Sequence, residues 1–99
     1  MAKRVIWSLR AEEERRNILE YWAKRNGNKG YTRKLSKRFR EKVKYIAKFN
    51  YIGTATDVEN VRAAVCGNYI LFYEIDDGFI KILTVWDGRR NPEDLNLEN

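Results

Sequence analysis

The alternation of hydrophobic and polar positions between Val61 and Arg90 predicts three consecutive antiparallel strands. Two turn signals divide this stretch. Gly67-Asn68 follows one β-rich run, and Asp77-Gly78 separates the next two. Gly, Asn and Asp tolerate the positive φ of tight hairpin turns, so both dipeptides are typical of short β-hairpin loops. The pattern therefore predicts a β-meander in the second half of the chain.

The register of the meander follows from its turns. A two-residue loop at Asp77-Gly78 predicts the pairs Ile75 with Ile80, Glu74 with Lys81, Tyr73 with Ile82, and Phe72 with Leu83. A loop at Gly67-Asn68 predicts the pairs Val65 with Ile70, Ala63 with Phe72, and Arg62 with Tyr73. The pairing of Glu74 with Lys81 supports the first register, because like charges at directly opposed sites would repel.

A short β-type run, Lys3 to Trp7, and two helices precede the meander. Ser8 is a suitable N-cap for the first helix, which ends near Asn26 with Gly27 as its C-cap. The second helix is predicted from about Tyr31 to Phe49 by an apolar stripe at helical spacing. This stripe comprises Tyr31, Leu35, Phe39, Val43, Ile46 and Phe49.

The predicted element order is β-α-α-β-β-β, with Asn50 to Asn60 as a loop. The short connection between the helices predicts an antiparallel helical hairpin. We therefore expect one α+β domain over residues 1–99, in which the hairpin packs on one face of a small, mainly antiparallel sheet.

The strand pattern defines two sheet faces. One is purely apolar: Ala63, Val65, Ile70, Phe72, Leu83 and Val85. The other is mixed: Arg62, Tyr69, Leu71, Tyr73, Ile82, Thr84 and Trp86. Since apolar faces are normally covered, the pattern favours the apolar face meeting the helices and the mixed face looking outward.

Composition narrows the function classes. The 99 residues contain 43% hydrophobic residues but no apolar run of the roughly 20 residues needed to cross a bilayer, and the N-terminus does not resemble a secretory signal. We expect a cytoplasmic protein with no membrane partner. A single cysteine, Cys66, excludes an intramolecular disulfide and predicts a buried, inert thiol. The absence of His excludes a Ser-His-Asp type of triad, so any proton transfer falls to Tyr, Lys, Glu or Asp.

No metal-ligand cluster, P-loop or dinucleotide fingerprint is present in the sequence, and we expect no metal and no cofactor. The net charge of +6 and a pI of about 9.6 indicate an acidic partner, either nucleic acid or an acidic protein segment. Residues 29–48 hold nine Lys or Arg and only one Glu. Four of them are predicted partner-binding residues: Arg33, Lys37, Arg40 and Lys44. The alternative is a solvated helix surface, the commoner fate of such side chains.

The meander and its exit contain the candidates for chemistry. These are Arg62, Tyr69, Arg89 and Arg90, because Arg is the side chain best shaped for phosphate or carboxylate. Tyr69, Tyr73 and Trp86 could stack on bases, or they could be core residues with a polar tip.

An N-terminal strand, a charged helical hairpin and the segments VRAAVCGNYILFYEI, IKILTVWDGRR and NPEDL resemble the RelE/ParE family, the toxins of type II toxin-antitoxin systems. The ending ILTVWDGRRNPEDL resembles the plasmid-stabilisation subset. The resemblance covers nearly the whole chain. It implies a RelE/ParE-like toxin fold and a bacterial, growth-inhibiting protein. It also implies a cognate antitoxin that wraps its surface, and operator DNA reached only through that antitoxin.

The resemblance implies one of two activities. The RelE branch cleaves mRNA in the ribosomal A site without a metal, using Lys and Arg on the sheet and a C-terminal Tyr. The ParE branch poisons DNA gyrase. Here Ile70 follows Tyr69 where the nuclease branch has Arg, and the preceding strand offers at best Arg62 in place of two lysines. Arg89 and Arg90 survive, but no Tyr follows them.

A gyrase-directed toxin is therefore the preferred hypothesis. The alternatives are a metal-independent endoribonuclease with a displaced active site, in which Tyr69 or a Lys would act as base, and a non-toxic module that binds only antitoxin or operator. The resemblance also implies that the apolar strand positions lie on the nuclease branch's active face, which conflicts with the core face that the pattern favours.

Overall fold

Both helices begin and end close to the residues that local sequence predicts. The structure is a computed structural model that describes residues 2–27 and 29–97. Helix α1 (Leu9–Asn26) starts where Ser8 Oγ accepts the N–H of Ala11 at 3.0 Å, and it ends at Gly27, whose φ of 67° is left-handed. Helix α2 spans Gly30–Lys48 and closes with the N–H of Phe49 donating to the carbonyl of Tyr45.

Five strands form one sheet in the order β1-β5-β4-β3-β2. They are β1 (Arg4–Trp7), β2 (Thr54–Ala55), β3 (Val61–Cys66), β4 (Tyr69–Ile75) and β5 (Phe79–Asp87), followed by a 3-10 turn at Pro92–Asp94. Strand β1 pairs parallel to β5, and the other pairs are antiparallel. The predicted α+β architecture is confirmed. Strand β2 is an addition, since it lies within the predicted loop Asn50 to Asn60.

The predicted register holds for both hairpins up to a β-bulge. All three pairs predicted around Gly67-Asn68 are observed, and so are Ile75 with Ile80, Glu74 with Lys81, and Tyr73 with Ile82. The expected pair of Phe72 with Leu83 is wrong, because the register shifts between Phe72 and Tyr73 and Phe72 pairs with Thr84. Leu83 is the extra residue of this bulge, which changes the alternation of β5 beyond it.

The predicted core face is also wrong. The helices cover most of the mixed face: Ala11, Leu35, Phe39 and Ile46 pack with Ala64, Cys66, Tyr69, Leu71, Tyr73, Ile80, Ile82 and Val85. The phenols reach the core because their hydroxyls have partners. Tyr73 Oη donates to the carbonyl of Asn50 at 2.8 Å and accepts the N–H of Gly53 at 2.9 Å. A buried polar group that is hydrogen-bonded costs little, so a polar tip does not exclude a side chain from a core.

The opposite face carries Ala63, Val65, Ile70 and Phe72, and Val65 is 65% exposed. Val85 is the exception among the predicted apolar positions, because the bulge turns it to the helix side. Within residues 2–27 and 29–97, no helix is long and apolar enough to span a membrane.

Candidate functional site

A cavity of about 400 Å³ lies between α1 and the adjoining ends of β4 and β5. Its lining residues are Glu14, Asn17, Ile18, Tyr21, Tyr69, Val85, Asp87, Arg89 and Arg90. We call it the α1 cavity. It brings together three of the four residues that sequence selects as candidates for chemistry, namely Tyr69, Arg89 and Arg90.

Arg89 is bound to Asp87 at the exit of β5. Its Nε and Nη2 donate to the two carboxylate oxygens of Asp87 at 3.0 and 2.9 Å, and its backbone N–H also donates to Oδ1 at 2.9 Å. This fork lowers the pKa of the Asp87 carboxyl and raises the pKa of Arg89. The Arg90 guanidinium carbon lies 4.3 Å from the ring centre of Trp86, a cation-π contact. Arg89 and Arg90 are thus held in place by Asp87 and Trp86, two residues at the end of β5.

Tyr69 forms the inner wall of the α1 cavity. It is 4% exposed, its ring packs edge-on against Phe39, and its hydroxyl accepts the indole N–H of Trp22 at 2.8 Å. A hydroxyl that accepts one hydrogen bond still has its own proton to donate. Tyr69 can therefore donate to a group in the cavity, while its packing fixes the ring in place.

Glu14 joins α1 to the sheet at this cavity. Its Oε1 accepts from the Thr84 hydroxyl at 2.7 Å and from the N–H of Val85 at 3.1 Å. In the described structure, strand β1 pairs with residues 79–82 of β5, so the edge of β5 beyond them has no neighbouring strand. There, Glu14 accepts the N–H of Val85, which would otherwise have no partner in the sheet. In the sequence, Glu14 is the last of three consecutive Glu residues in the first turns of the helix, where the helix dipole favours anions. No local signal could reveal its partner, because the free edge exists only in the folded sheet.

Arg62, the fourth candidate, lies elsewhere. It is half-buried on β3, and its Nη1 donates to the carbonyls of Gly53 at 2.6 Å and Tyr51 at 3.3 Å. It stands opposite Tyr73, four positions along β4 from Tyr69, which corresponds to about 13 Å of strand. Arg62 therefore holds the segment after α2 and does not join the α1 cavity.

The four predicted partner-binding residues, Arg33, Lys37, Arg40 and Lys44, are all exposed on α2. Arg40 also lines a second cavity of about 380 Å³ between the helices, together with Glu12, Arg15, Arg16, Leu19 and Ser36. Sequence reasoning missed the contribution of Arg15 and Arg16, because it considered the cations of α2 alone.

A group of exposed apolar side chains marks the end of α2 and the segment after it. Tyr45, Phe49, Tyr51 and Ile52 are 49%, 46%, 69% and 46% exposed, and we call them the aromatic patch. The rings of Tyr45 and Phe49 lie 4.9 Å apart between centres. Sequence reasoning placed Phe49 in the core stripe of α2. It lies one residue beyond the helix, where the chain turns toward β2.

Metal chemistry has no ready ligand set in the part of the chain that the structure describes. There, no three or more His, Cys, Asp or Glu residues are grouped so that they could hold a metal ion. The free thiol of Cys66 is buried, and burial raises its pKa. The cations and hydroxyls of the α1 cavity are thus the groups available there for binding an anion or donating hydrogen bonds.

Comparison with known proteins gives one family. Residues 5–92 match the family described as the ParE toxin of the type II toxin-antitoxin system, parDE. No curated protein matches the chain. Among solved structures, a chain described as the chromosomal ParDE TA system from P. aeruginosa is similar, with a TM-score of 0.74 and 17% sequence identity. The match covers 87% of this chain and 96% of that chain. At this identity the structural likeness concerns the fold alone.

Proposed function

Because the chain belongs to the family of ParE toxins of type II toxin-antitoxin systems, we propose that it inhibits growth by binding a protein target, DNA gyrase, and that a cognate antitoxin neutralises it in the cytoplasm. Sequence-specific recognition of operator DNA would then come only through the antitoxin. The carrying observation is the chemistry of the open sheet face, which is apolar where a nuclease would need cations.

The open sheet face presents Ala63, Val65 and Ile70. The nuclease branch of this toxin group is expected to carry Arg at the position of Ile70 and two lysines in the segment Val61 to Ala63, where they would stabilise the charge of a pentavalent phosphate. Arg62, the only cation of β3, hydrogen-bonds to backbone carbonyls after α2 instead. An apolar face supports docking of a protein surface better than it supports cleavage of RNA.

The aromatic patch supports an antitoxin or target interface as well. Four exposed apolar side chains in one stretch of a small protein are typical of a protein-binding surface. Arg62 lies with its guanidinium carbon 5.1 Å from the ring centre of Tyr51, and Lys48 Nζ lies 5.4 Å from that of Phe49. An acidic segment with apolar side chains is complementary to such a surface.

The second candidate function is the metal-independent endoribonuclease, and the α1 cavity is the observation that favours it. Tyr69, Arg89 and Arg90 line one cavity, so a displaced active site has a hydroxyl and two cations in reach of one another. The third candidate is a module that binds antitoxin or operator without being toxic.

Induced expression in cells, followed by a gyrase assay with the purified protein, distinguishes the three candidate functions. For the proposed function we expect induced expression to trigger the DNA-damage response, and the purified protein to inhibit supercoiling by gyrase. Rapid cleavage of mRNA in the A site with intact supercoiling would instead establish the nuclease. Normal growth with retained antitoxin binding would establish the non-toxic module.

A paired substitution tests the α1 cavity within this experiment. We expect Arg89→Ala with Arg90→Ala to abolish toxicity without unfolding the protein, because both cations lie at the rim of the cavity. The matched control, Lys24→Ala with Lys29→Ala, removes two exposed cations beside the turn between the helices, neither of which lines the cavity. If the variant with Arg89→Ala and Arg90→Ala remained toxic, the α1 cavity would not be part of the functional site.

A further inference from the structure

Six exposed or half-buried cations lie on the helical hairpin, and the guanidinium carbon of one of them, Arg15, also lies 4.2 Å from the ring centre of Trp7. Four of them, Arg33, Lys37, Arg40 and Lys44, repeat at helical spacing along the exposed side of α2. Arg15 and Arg16 of α1 join them through the second cavity, which Arg40 also lines. We call these six residues the basic surface. From Arg33 to Lys44 it extends about 17 Å at the rise of an α-helix.

The basic surface has a strong excess of positive charge. Its neighbouring carboxylates are Glu12, which lines the second cavity, and Glu41, which lies 3.8 Å from Lys37 Nζ. Six cations exceed these two carboxylates by four positive charges, and Glu13 and Glu20, which lie within one helical turn of Arg16, reduce this excess at the α1 side of the surface. The pair of Lys37 and Glu41 is exposed, and such pairs contribute little, so Lys37 can exchange Glu41 for another anion.

The basic surface also lacks the side chains that protein partners use as anchors. The exposed large apolar residues in the described part of the chain include those of the aromatic patch, with Ile6, Leu9, Tyr21, Val58 and Val65; none lies between Arg33 and Lys44 on α2, and none lines the second cavity. Protein interfaces are enriched in buried aromatic residues and depleted in Lys, whereas contacts to phosphates need only Lys, Arg and hydroxyls.

We propose that the basic surface binds the phosphate backbone of double-stranded nucleic acid without reading its sequence. A straight, rigid row of cations suits a rigid duplex, which presents one negative charge per about 1.7 Å of its axis. Single-strand binders add exposed aromatic side chains on which bases stack, and no exposed aromatic residue lies between Arg33 and Lys44 on α2 or lines the second cavity. This binding goes beyond the proposed toxin function and does not depend on it.

The number of cations sets the expected salt dependence. If four to six of them neutralise phosphates, log K falls against log[salt] with a slope of about −3.6 to −5.4. Affinity for duplex DNA should then fall by roughly 10²- to 10³-fold between about 50 and about 200 mM salt. Removal of the four α2 cations leaves Arg15 and Arg16. For these two the slope is about −1.8, and the affinity for duplex DNA falls roughly tenfold over the same salt range.

The test measures fluorescence anisotropy of a short labelled DNA duplex during titration with the purified full chain over that salt range. The test variant carries Arg33→Gln, Lys37→Gln, Arg40→Gln and Lys44→Gln. The control variant carries Arg4→Gln, Lys24→Gln, Arg25→Gln and Lys29→Gln, four exposed cations outside the basic surface. Both variants carry the same net charge, and thermal melts followed by circular dichroism establish that each is folded.

We expect the control variant to keep the wild-type slope to within about one unit and the test variant to lose about half of it or more. Equal loss in both variants would overturn the proposal, since it would show a non-localised charge effect. Duplex RNA of the same sequence should bind within a few-fold of duplex DNA. Tighter binding of the single strand would overturn the duplex assignment. Tighter binding of labelled poly-L-glutamate would assign the surface to an acidic protein and likewise overturn the proposal.

Discussion

The buried hydroxyl of Tyr73 hydrogen-bonds to the segment between α2 and β2 and holds it against the sheet. Its removal should destabilise the whole domain. Tyr73 is fully buried, and its hydroxyl bridges the N–H of Gly53 and the carbonyl of Asn50. Gly53 is itself buried, and a methyl group added there would lie 2.8 Å from the Tyr73 oxygen, so the backbone must approach this closely. Tyr73→Phe deletes the bridge while keeping the ring.

The cost follows from what the deletion leaves behind. The Gly53 N–H stays buried without an acceptor, which costs about 1–3 kcal/mol, while the half-buried Asn50 carbonyl can turn to water. We therefore expect Tyr73→Phe to lower the free energy of unfolding by about 2 kcal/mol. For a domain of this size that corresponds to a fall in Tm of roughly 10 °C.

Urea unfolding followed by circular dichroism measures the change. The matched control is Tyr45→Phe, which removes a hydroxyl from a half-exposed ring with no hydrogen bond in the described structure, and which should alter stability by less than about 0.5 kcal/mol. A Tyr73→Phe variant as stable as this control would refute the reasoning, because the buried N–H would then have found another acceptor.

The same hydroxyl predicts a pH dependence. Burial raises the pKa of Tyr73 above its ordinary value of 10.0. Because the phenol then ionises at higher pH in the folded chain than in the unfolded chain, its stabilising contribution is complete below pH 10 and is lost as the pH rises through the folded pKa. The stability difference between the wild type and Tyr73→Phe should therefore shrink above pH 10. A constant difference in urea unfolding across that range would contradict this.

Three further predictions concern single groups. Ser8→Ala removes a helix cap and a 2.9 Å hydrogen bond to the carbonyl of Leu83, and should cost about 1–2 kcal/mol in urea unfolding, whereas Ser8→Thr should retain most of the stability. Cys66 should react with a thiol reagent only as fast as the domain opens, so labelling at the rate of a free thiol in the native state would refute its burial. Because the pKa of Asp87 is lowered, its carboxylate stabilises the fold at neutral pH, and this stabilisation is lost as the pH falls below about 4. Asp87→Asn or Arg89→Ala should therefore weaken the fall in stability at acid pH, as measured by urea unfolding. An unchanged acid dependence would contradict the ion pair of Asp87 and Arg89.

The sequence by itself determined the local structure. The helix ends at Ser8 and Gly27, the hairpin turns and most of the β4–β5 register depend on residues close together in the chain, and all were predicted correctly. Family membership was equally accessible, because the resemblance read from the sequence is confirmed by the family match over residues 5–92.

Only the tertiary structure decided which sheet face is the core. Alternation defines two faces but not which one is covered, and here the tyrosines of the mixed face enter the core because their hydroxyls bind Trp22 and the segment after α2. The bulge at Leu83 then reverses the alternation in β5, which no periodic pattern anticipates.

The candidate site shows the same division between local and long-range information. The residue types of Tyr69, Arg89 and Arg90 were evident from sequence, but their meeting in the α1 cavity depends on a helix some fifty or more residues earlier in the chain. Arg62 was grouped with them because it lies in the same meander, and the fold separates it by about 13 Å along the strands. Sequence determines the chemistry that a chain contains, whereas packing of distant elements determines which groups share a site.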